Sequence, residues 1–336
     1  MYRRLIYGLI LAVVIAAPFV MQSSFLRDLL IMSGIYAILT LSLDVIVSRM
    51  GQFSFGHQAF FAIGAYTSAL LSVNLGVPPF VSFFGAVACA GLVGLLVGAI
   101  ALRALRGVYL AIVTLGFSII MLVLVRGMRG FTGGEAGILR IPPPTIPIPG
   151  HPDIVFGSEF SYYYLVLICL LLVIYLISRW QHSWWGRAVT GLCEHEALAE
   201  SIGIIPVKLY AMSFAFATAI AGLSGALFAH YQLAVYPSLF NLQYMFLMLV
   251  MLFVGGRGTL GGPILGAVFF IFVPKFLPTK GETNLLLFGA ILLLTILFMQ
   301  RGLYPALVSL GHRFTKQFSS VKEAETENNE NVGKTS

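Results

Sequence analysis

The residues able to do chemistry fall into three groups by type and spacing. Glu194, Glu196 and Glu200, preceded by Arg187, share one polar stretch, with Glu196 and Glu200 a helical turn apart. Ser54, His57, Gln58 and Tyr66, and the i, i+4 pair Thr114 and Ser118, interrupt long apolar runs. Gly255, Gly256, Gly258, Gly261 and Gly262 crowd a third stretch. A carboxylate stripe can accept charge-assisted hydrogen bonds from a partner, or it can simply be a solvated face. Hydroxyl, imidazole and amide groups among apolar side chains either line a route for a polar solute or hydrogen-bond between helices. Clustered glycines break a helix and let backbones approach. No nucleophile–base pair or carboxylate dyad stands out. Glu194-His195-Glu196 fan around a helix too widely for a metal, and no metal site is expected. Cys89, Cys169 and Cys193 lack the spacing of a disulfide or metal knuckle.

Gly256-Arg257-Gly258-Thr259-Leu260-Gly261 matches a dinucleotide fingerprint in letters. That motif needs a strand before it and an acid about 20 residues on. Here an apolar run precedes it, Pro263 follows, and the next acid is Glu282. The glycines read instead as a tight break between two spans. No G-x-x-x-x-G-K-[ST] occurs, so any ATP and Mg²⁺ must be held by another chain.

The elements that position these groups follow from composition. Charged residues make up only 10% and hydrophobic ones 59% of 336 residues, and mean hydropathy is +0.94. Soluble domains carry about 25% charged residues, so lipid is the expected solvent and nucleic acid is not an expected partner despite a net charge of +7. A span needs roughly 20 apolar residues. Candidates lie near Leu5–Val20, Leu26–Val47, Phe55–Val73, Phe80–Leu102, Val108–Val125, Tyr162–Ile177, Leu209–Tyr231, Leu242–Val254, Leu260–Leu277 and Leu285–Met299. The expected fold is all-α, a polytopic bundle of about ten transmembrane helices. The short segment at Leu242–Val254 and the polar one at Phe55–Val73 are candidates for broken or re-entrant helices. With both termini inside, most of the 20 Lys and Arg residues are cytoplasmic, leaving Arg27, Arg126, Arg129, Arg140, Lys275 and Lys280 outside.

Residues 1–314 form the membrane domain, and the Glu-rich 315–336 is expected to be a disordered cytoplasmic tail. Residues 127–159 carry Pro142-Pro143-Pro144, Pro147 and Pro149 and read as an extended outside loop rather than a helix. Within the inside loop at 178–208, Ala188 to Ile202 suits one short helix stopped at Gly203, with Pro206 beyond. The small residues Ala219, Ala221, Gly222, Gly225 and Ala226 suit close helix packing.

The inside loop resembles that of ABC importer permeases, whose Glu-Ala-Ala…Gly signature stands here as Glu196-Ala197-Leu198-Ala199…Gly203. More narrowly, the chain resembles permeases of branched-chain amino acid ABC transporters. Four blocks, in family order, carry the likeness: GQFSFGHQAFFAIGAYTSALL from Gly51, LRGVYLAIVTLGF from Leu105 with FTGGEAGI from Phe131, GRAVTGLCEHEALAESIGI from Gly186, and FVGGRGTLGGPILGA from Phe253. Leu198 departs from the signature's second Ala. The resemblance implies a short cytoplasmic helix seated in a groove of an ATPase subunit. Glu194, Glu196 and Glu200 would offer carboxylates, Ala197 and Ala199 would allow close approach, Gly203 would end the helix and Arg187 would pair a carboxylate.

It also implies a second homologous permease, two ATP-binding subunits, a soluble solute-binding protein and a bacterial inner-membrane location. The two halves, each with a Gly-rich segment, are compatible with an inverted repeat. A secondary transporter or channel is the competing class; it would call for a buried ionisable relay, and the spans offer little beyond Asp44 and His57. An integral-membrane enzyme would call for a catalytic cluster near one interface.

Overall fold

The computed structural model describes residues 12–19, 23–146, 154–276, 289, 293 and 302–305, and these are mostly helical. The tail at 315–336, most of the span at Leu285–Met299 and half of Leu5–Val20 lie outside the described residues. The principal helices are α1 (Ser24–Asp44), α2 (His57–Asn74), α3 (Pro79–Ala101), α4 (Val108–Gly127) and α5 (Glu159–Gln181). Two short helices follow, α6 (Trp184–Glu194) and α7 (Glu196–Ser201). The chain then forms α8 (Pro206–Gln232), α9 (Leu242–Gly255) and α10 (Gly261–Phe276).

Among the described residues, five helical segments are long and apolar enough to cross a membrane: Ser24–Arg49, which joins α1 to a π-helical turn at Val45–Arg49, and α3, α4, α5 and α8. The segments at Leu242–Gly255 and Gly261–Lys275 are apolar but shorter. At 14 residues, α9 is about 21 Å long, short of a hydrocarbon core of roughly 30 Å.

The centre of the bundle is α8, which packs on α2 and α3, while α1 packs on α10, α5 and α8. Small residues permit this. A Cβ on Gly225 would stand 1.9 Å from the Phe61 carbonyl oxygen, and one on Gly64 would stand 2.3 Å from that of Gly222. With lipid as solvent, apolar surface alone gives no reason for helices to associate, so backbone contact of this kind supplies the dispersion attraction. The outer helices invert the soluble pattern. On α4, Ile112, Ile119, Ile120 and Val123 are exposed, whereas Thr114 and Ser118 are buried. Such a surface is stable only against lipid or another subunit.

The loop expected to be extended begins with folded turns, at residues 129–136. Arg129–Thr132 forms a helical turn and Gly134–Ala136 a 3₁₀ turn. The Thr132 hydroxyl donates to the Val125 carbonyl at 2.6 Å, and Gly133 takes φ 76°, which folds the chain back. Beyond it, β1 (Ile138–Leu139) pairs antiparallel with β4 (Ala234–Val235), just after α8. A second small pair joins β2 (Thr145–Ile146) to β3 (Ile154–Val155).

Candidate functional site

The loop joining α5 to α8 contains two helices, not one. Ser183 caps α6, its hydroxyl accepting from Gly186 N–H at 3.2 Å. The helix ends at His195, whose backbone is extended (φ −148°, ψ 90°), and α7 restarts at Glu196. The sequence from Cys193 to Ala199 holds no Gly or Pro to signal a break, so tertiary contacts impose it. Glu194 therefore stands on α6, and Glu196 and Glu200 on α7.

The break turns Glu196 inward. Its Oε1 accepts from Arg106 Nη2 at 3.1 Å and Nε at 3.3 Å. Arg106 also donates to the Leu102 and Leu105 carbonyls at the end of α3, and its guanidinium lies 4.9 Å from the Tyr210 ring centre. This ion pair keeps 29% and 39% of its side chains exposed, so it contributes at most about 1 kcal/mol to stability and matters for position. Arg106 stands in the LRGVYLAIVTLGF block, but nothing in the sequence pointed to its contact with Glu196. Arg187, expected to meet a carboxylate, donates to the His182 carbonyl.

Arg187, Glu194, Ala197, Glu200 and Gly203 are exposed, while Ala199 is buried. Between α6 and α7 runs a groove of about 340 Å³ lined by Trp184, Arg187, Glu194, Leu198 and Ile202. Trp184, Leu198 and Ile202 are 59%, 66% and 73% exposed. The groove thus combines exposed apolar side chains with a charged rim, on a loop outside the spans. Leu198, the departure from the signature, is among them. Cys193 is exposed, and burial of its thiol, with Glu194 beside it, raises its pKa.

The polar groups inside the bundle are joined by hydrogen bonds between helices. A non-helical break at 50–56 separates α1 from α2, with Gly51 at φ 63°. Phe55 N–H donates to Thr114 Oγ1 at 3.0 Å, and Ser42 Oγ lies 2.8 Å from His57 Nε2. Gln58 Nε2 donates to Ser118 Oγ at 2.9 Å, and Ser118 Oγ donates to the Phe240 carbonyl at 2.9 Å. Ser118 stands ten residues into α4, near its midpoint, so the 3₁₀ turn Pro237–Phe240 ahead of α9 dips to the middle of the bundle. Ser54 Oγ, His57 Nδ1, Gln58 Oε1 and Tyr66 OH are buried without a hydrogen-bond partner among the described residues. All six candidate pathway residues are buried within this one chain.

The third group forms the tight break between α9 and α10. Gly256 and Gly258 take φ 112° and 79°, and a Cβ on Gly255 or Gly262 would overlap a facing carbonyl oxygen at 1.9 Å. Gly261 meets the Tyr304 ring. The break is held from α1: Asp44 Oδ1 accepts Gly258 N–H, and Arg49 donates to the Gly258 carbonyl, both at 2.8 Å.

Helices long and apolar enough to span a bilayer, packed through glycine and joined by a structured loop, define a multi-pass membrane protein. The chain belongs to the family of branched-chain amino acid transport system permease components, whose model matches residues 25–296. It is 33% identical to the high-affinity branched-chain amino acid transport system permease protein LivM of Salmonella typhimurium, covering 90% of this chain and 75% of that protein. The Escherichia coli protein of the same name gives the same figures. A probable branched-chain amino acid transport permease LivM of Methanocaldococcus jannaschii is 24% identical, over 77% of this chain and 80% of its own. No solved structure matches the chain.

Proposed function

We propose that this chain is the membrane-spanning permease subunit of an ABC importer for branched-chain amino acids or similar small polar solutes. Its place would be the bacterial inner membrane, with both termini in the cytoplasm. It pairs with a second homologous permease, and the solute passes between them. Two ATP-binding subunits, which hold the ATP and Mg²⁺, dock on the α6–α7 loop. A solute-binding protein delivers its cargo at the opposite face. The observation that carries this reading is the α6–α7 groove, whose exposed Trp184, Leu198 and Ile202 are rimmed by Arg187 and Glu194. Those apolar side chains would otherwise meet water.

The Ser54, His57, Gln58, Tyr66, Thr114 and Ser118 groups supply the polar contacts of the route. They are buried in one chain, so a solute reaches them only as elements part. Unpartnered hydroxyl and amide atoms favour such use, because a buried polar atom without a partner costs about 1–3 kcal/mol. The halves around the loop are an inverted repeat in this reading.

The test is uptake of labelled leucine by proteoliposomes holding the whole complex. Uptake that needs ATP and the ATP-binding subunits supports the reading. Uptake that persists without ATP and follows an ion gradient overturns it in favour of a secondary transporter.

A further inference from the structure

We propose that Arg106 is a positioning residue that transmits movement of the α6–α7 loop to the break at 50–56, where α2 begins. The inference rests on the reading of that loop as the dock for the ATP-binding subunits, and adds what the loop pulls on.

The loop touches the break by two routes. In the first, Glu196 holds Arg106 at 3.1 Å. The next residue, Gly107, donates its N–H to Gln52 Oε1 at 2.8 Å, inside the break. Gln52 is only 7% exposed, so this bond is shielded from competing water. In the second route, Cys193 at the end of α6 lies so close to Gly51 that a Cβ there would meet its Sγ at 2.4 Å. The loop is thus seated on the first two residues of the GQFSFG stretch.

The other end of the break is fixed to the polar interior. Phe55 N–H is held by Thr114, a Cβ on Gly56 would overlap the Thr114 carbonyl oxygen, and the helix then presents His57 and Gln58 to Ser42 and Ser118. Between the two ends lie residues without helical hydrogen bonds, beginning with a glycine at φ 63°. A helix transmits a push along its axis, whereas this segment can change backbone angles at little cost. Arg106 is also fixed: its guanidinium lies over Tyr210 and its N–H groups reach the Leu102 and Leu105 carbonyls. A displacement of α7 is therefore passed on to the Leu105–Gly107 turn instead of being taken up by a free side chain.

The experiment uses the whole complex in proteoliposomes, with Arg106→Gln, Arg106→Lys and Gln52→Ala. Retention of the ATP-binding subunits, ATP hydrolysis stimulated by the loaded solute-binding protein, and uptake against solute concentration are measured. Arg106→Gln and Gln52→Ala are expected to retain the ATP-binding subunits and the solute concentration for half-maximal uptake. Maximal uptake per ATP hydrolysed is expected to fall roughly 5- to 30-fold, where the ranges for coupling between sites and for residues along a coupling route overlap. Arg106→Lys, which keeps a cationic donor toward Glu196, is expected to recover part of it. Unchanged uptake in Arg106→Gln overturns the proposal, as does an Arg106→Lys chain no better than Arg106→Gln. Loss of the ATP-binding subunits from Arg106→Gln also overturns it, since Arg106 would then serve the dock itself. Failure of the docking reading is seen separately, as full retention of those subunits by a Leu198→Asp chain.

Discussion

The Asp44 carboxylate accepts the backbone N–H of Gly258 at 2.8 Å, across 214 positions of sequence. Ser48 Oγ donates to the same oxygen at 2.5 Å, and Arg49 takes the Gly258 carbonyl. An acid at the end of α1 thus helps to fix a glycine turn that Thr259 holds from within, its hydroxyl donating to the Gly256 carbonyl at 3.1 Å and accepting the Gly262 N–H at 3.0 Å. Asp44→Ala strips a partly buried N–H of its partner, a loss of about 1 kcal/mol. The expected result is a lower thermal unfolding temperature of the detergent-solubilised protein, with Asp44→Asn intermediate because its carbonyl oxygen still accepts.

The groove between α6 and α7 makes a second prediction. Leu198→Asp places a charge on its exposed apolar wall without disturbing a buried contact, since Leu198 is 66% exposed. Membrane level and unfolding temperature are expected to match the unaltered chain, while co-purification of the ATP-binding subunits falls at least roughly tenfold, as for a hot-spot residue.

Gly203 stops the loop with φ 85°, and a Cβ there meets nothing within 4 Å. The constraint is backbone angle, not space. Gly203→Asn, which tolerates left-handed backbone, is therefore expected to retain uptake, whereas the β-branched Gly203→Val is expected to lose most of it. Equal uptake by the two variants would show that the angle is unimportant.

Helix packing is tested at Gly225. Its would-be Cβ meets the Phe61 carbonyl oxygen at 1.9 Å, and backbone cannot step aside as a side chain can. Gly225→Val is expected to reduce the folded protein recovered in detergent severely, by several kcal/mol of overpacking.

Cys193 gives a chemical reporter. Partial burial and the neighbouring Glu194 raise its thiol pKa, so less thiolate is present at any given pH than for an ordinary cysteine. In a chain with Cys89→Ser and Cys169→Ser, maleimide labelling is expected to be slow near neutrality and to rise with pH beyond the range of a free thiol. The bound ATP-binding subunits should protect it.

Much of the bundle was legible because its signals are local. The runs that became α3, α4, α5 and α8 are apolar over the length of a bilayer. The shortness of α9 and the glycine break after it were equally visible, and Thr114 and Ser118 were recognised as one helical face. The break at His195 was not legible: the residues around it favour continuous helix, and what interrupts them is the approach of Arg106 and Gly51 from distant parts of the chain. The folding-back of residues 129–136 also escaped, because prolines further along suggested an extended loop.

The sequence by itself determined the solvent, the approximate places of the helices, and which few polar residues had to be explained. Those are properties of composition and short-range spacing, set by the cost of placing charge and open backbone in lipid. Only the tertiary structure decided what those residues meet. It gave Asp44 to Gly258, Gln58 to Ser118, and Glu196 to Arg106 rather than to the exposed face it shares with Glu200. Spacing along a helix says which side a residue occupies, but the partner on that side comes from helices whose neighbours are chosen by close backbone packing through residues such as Gly64, Gly222 and Gly225.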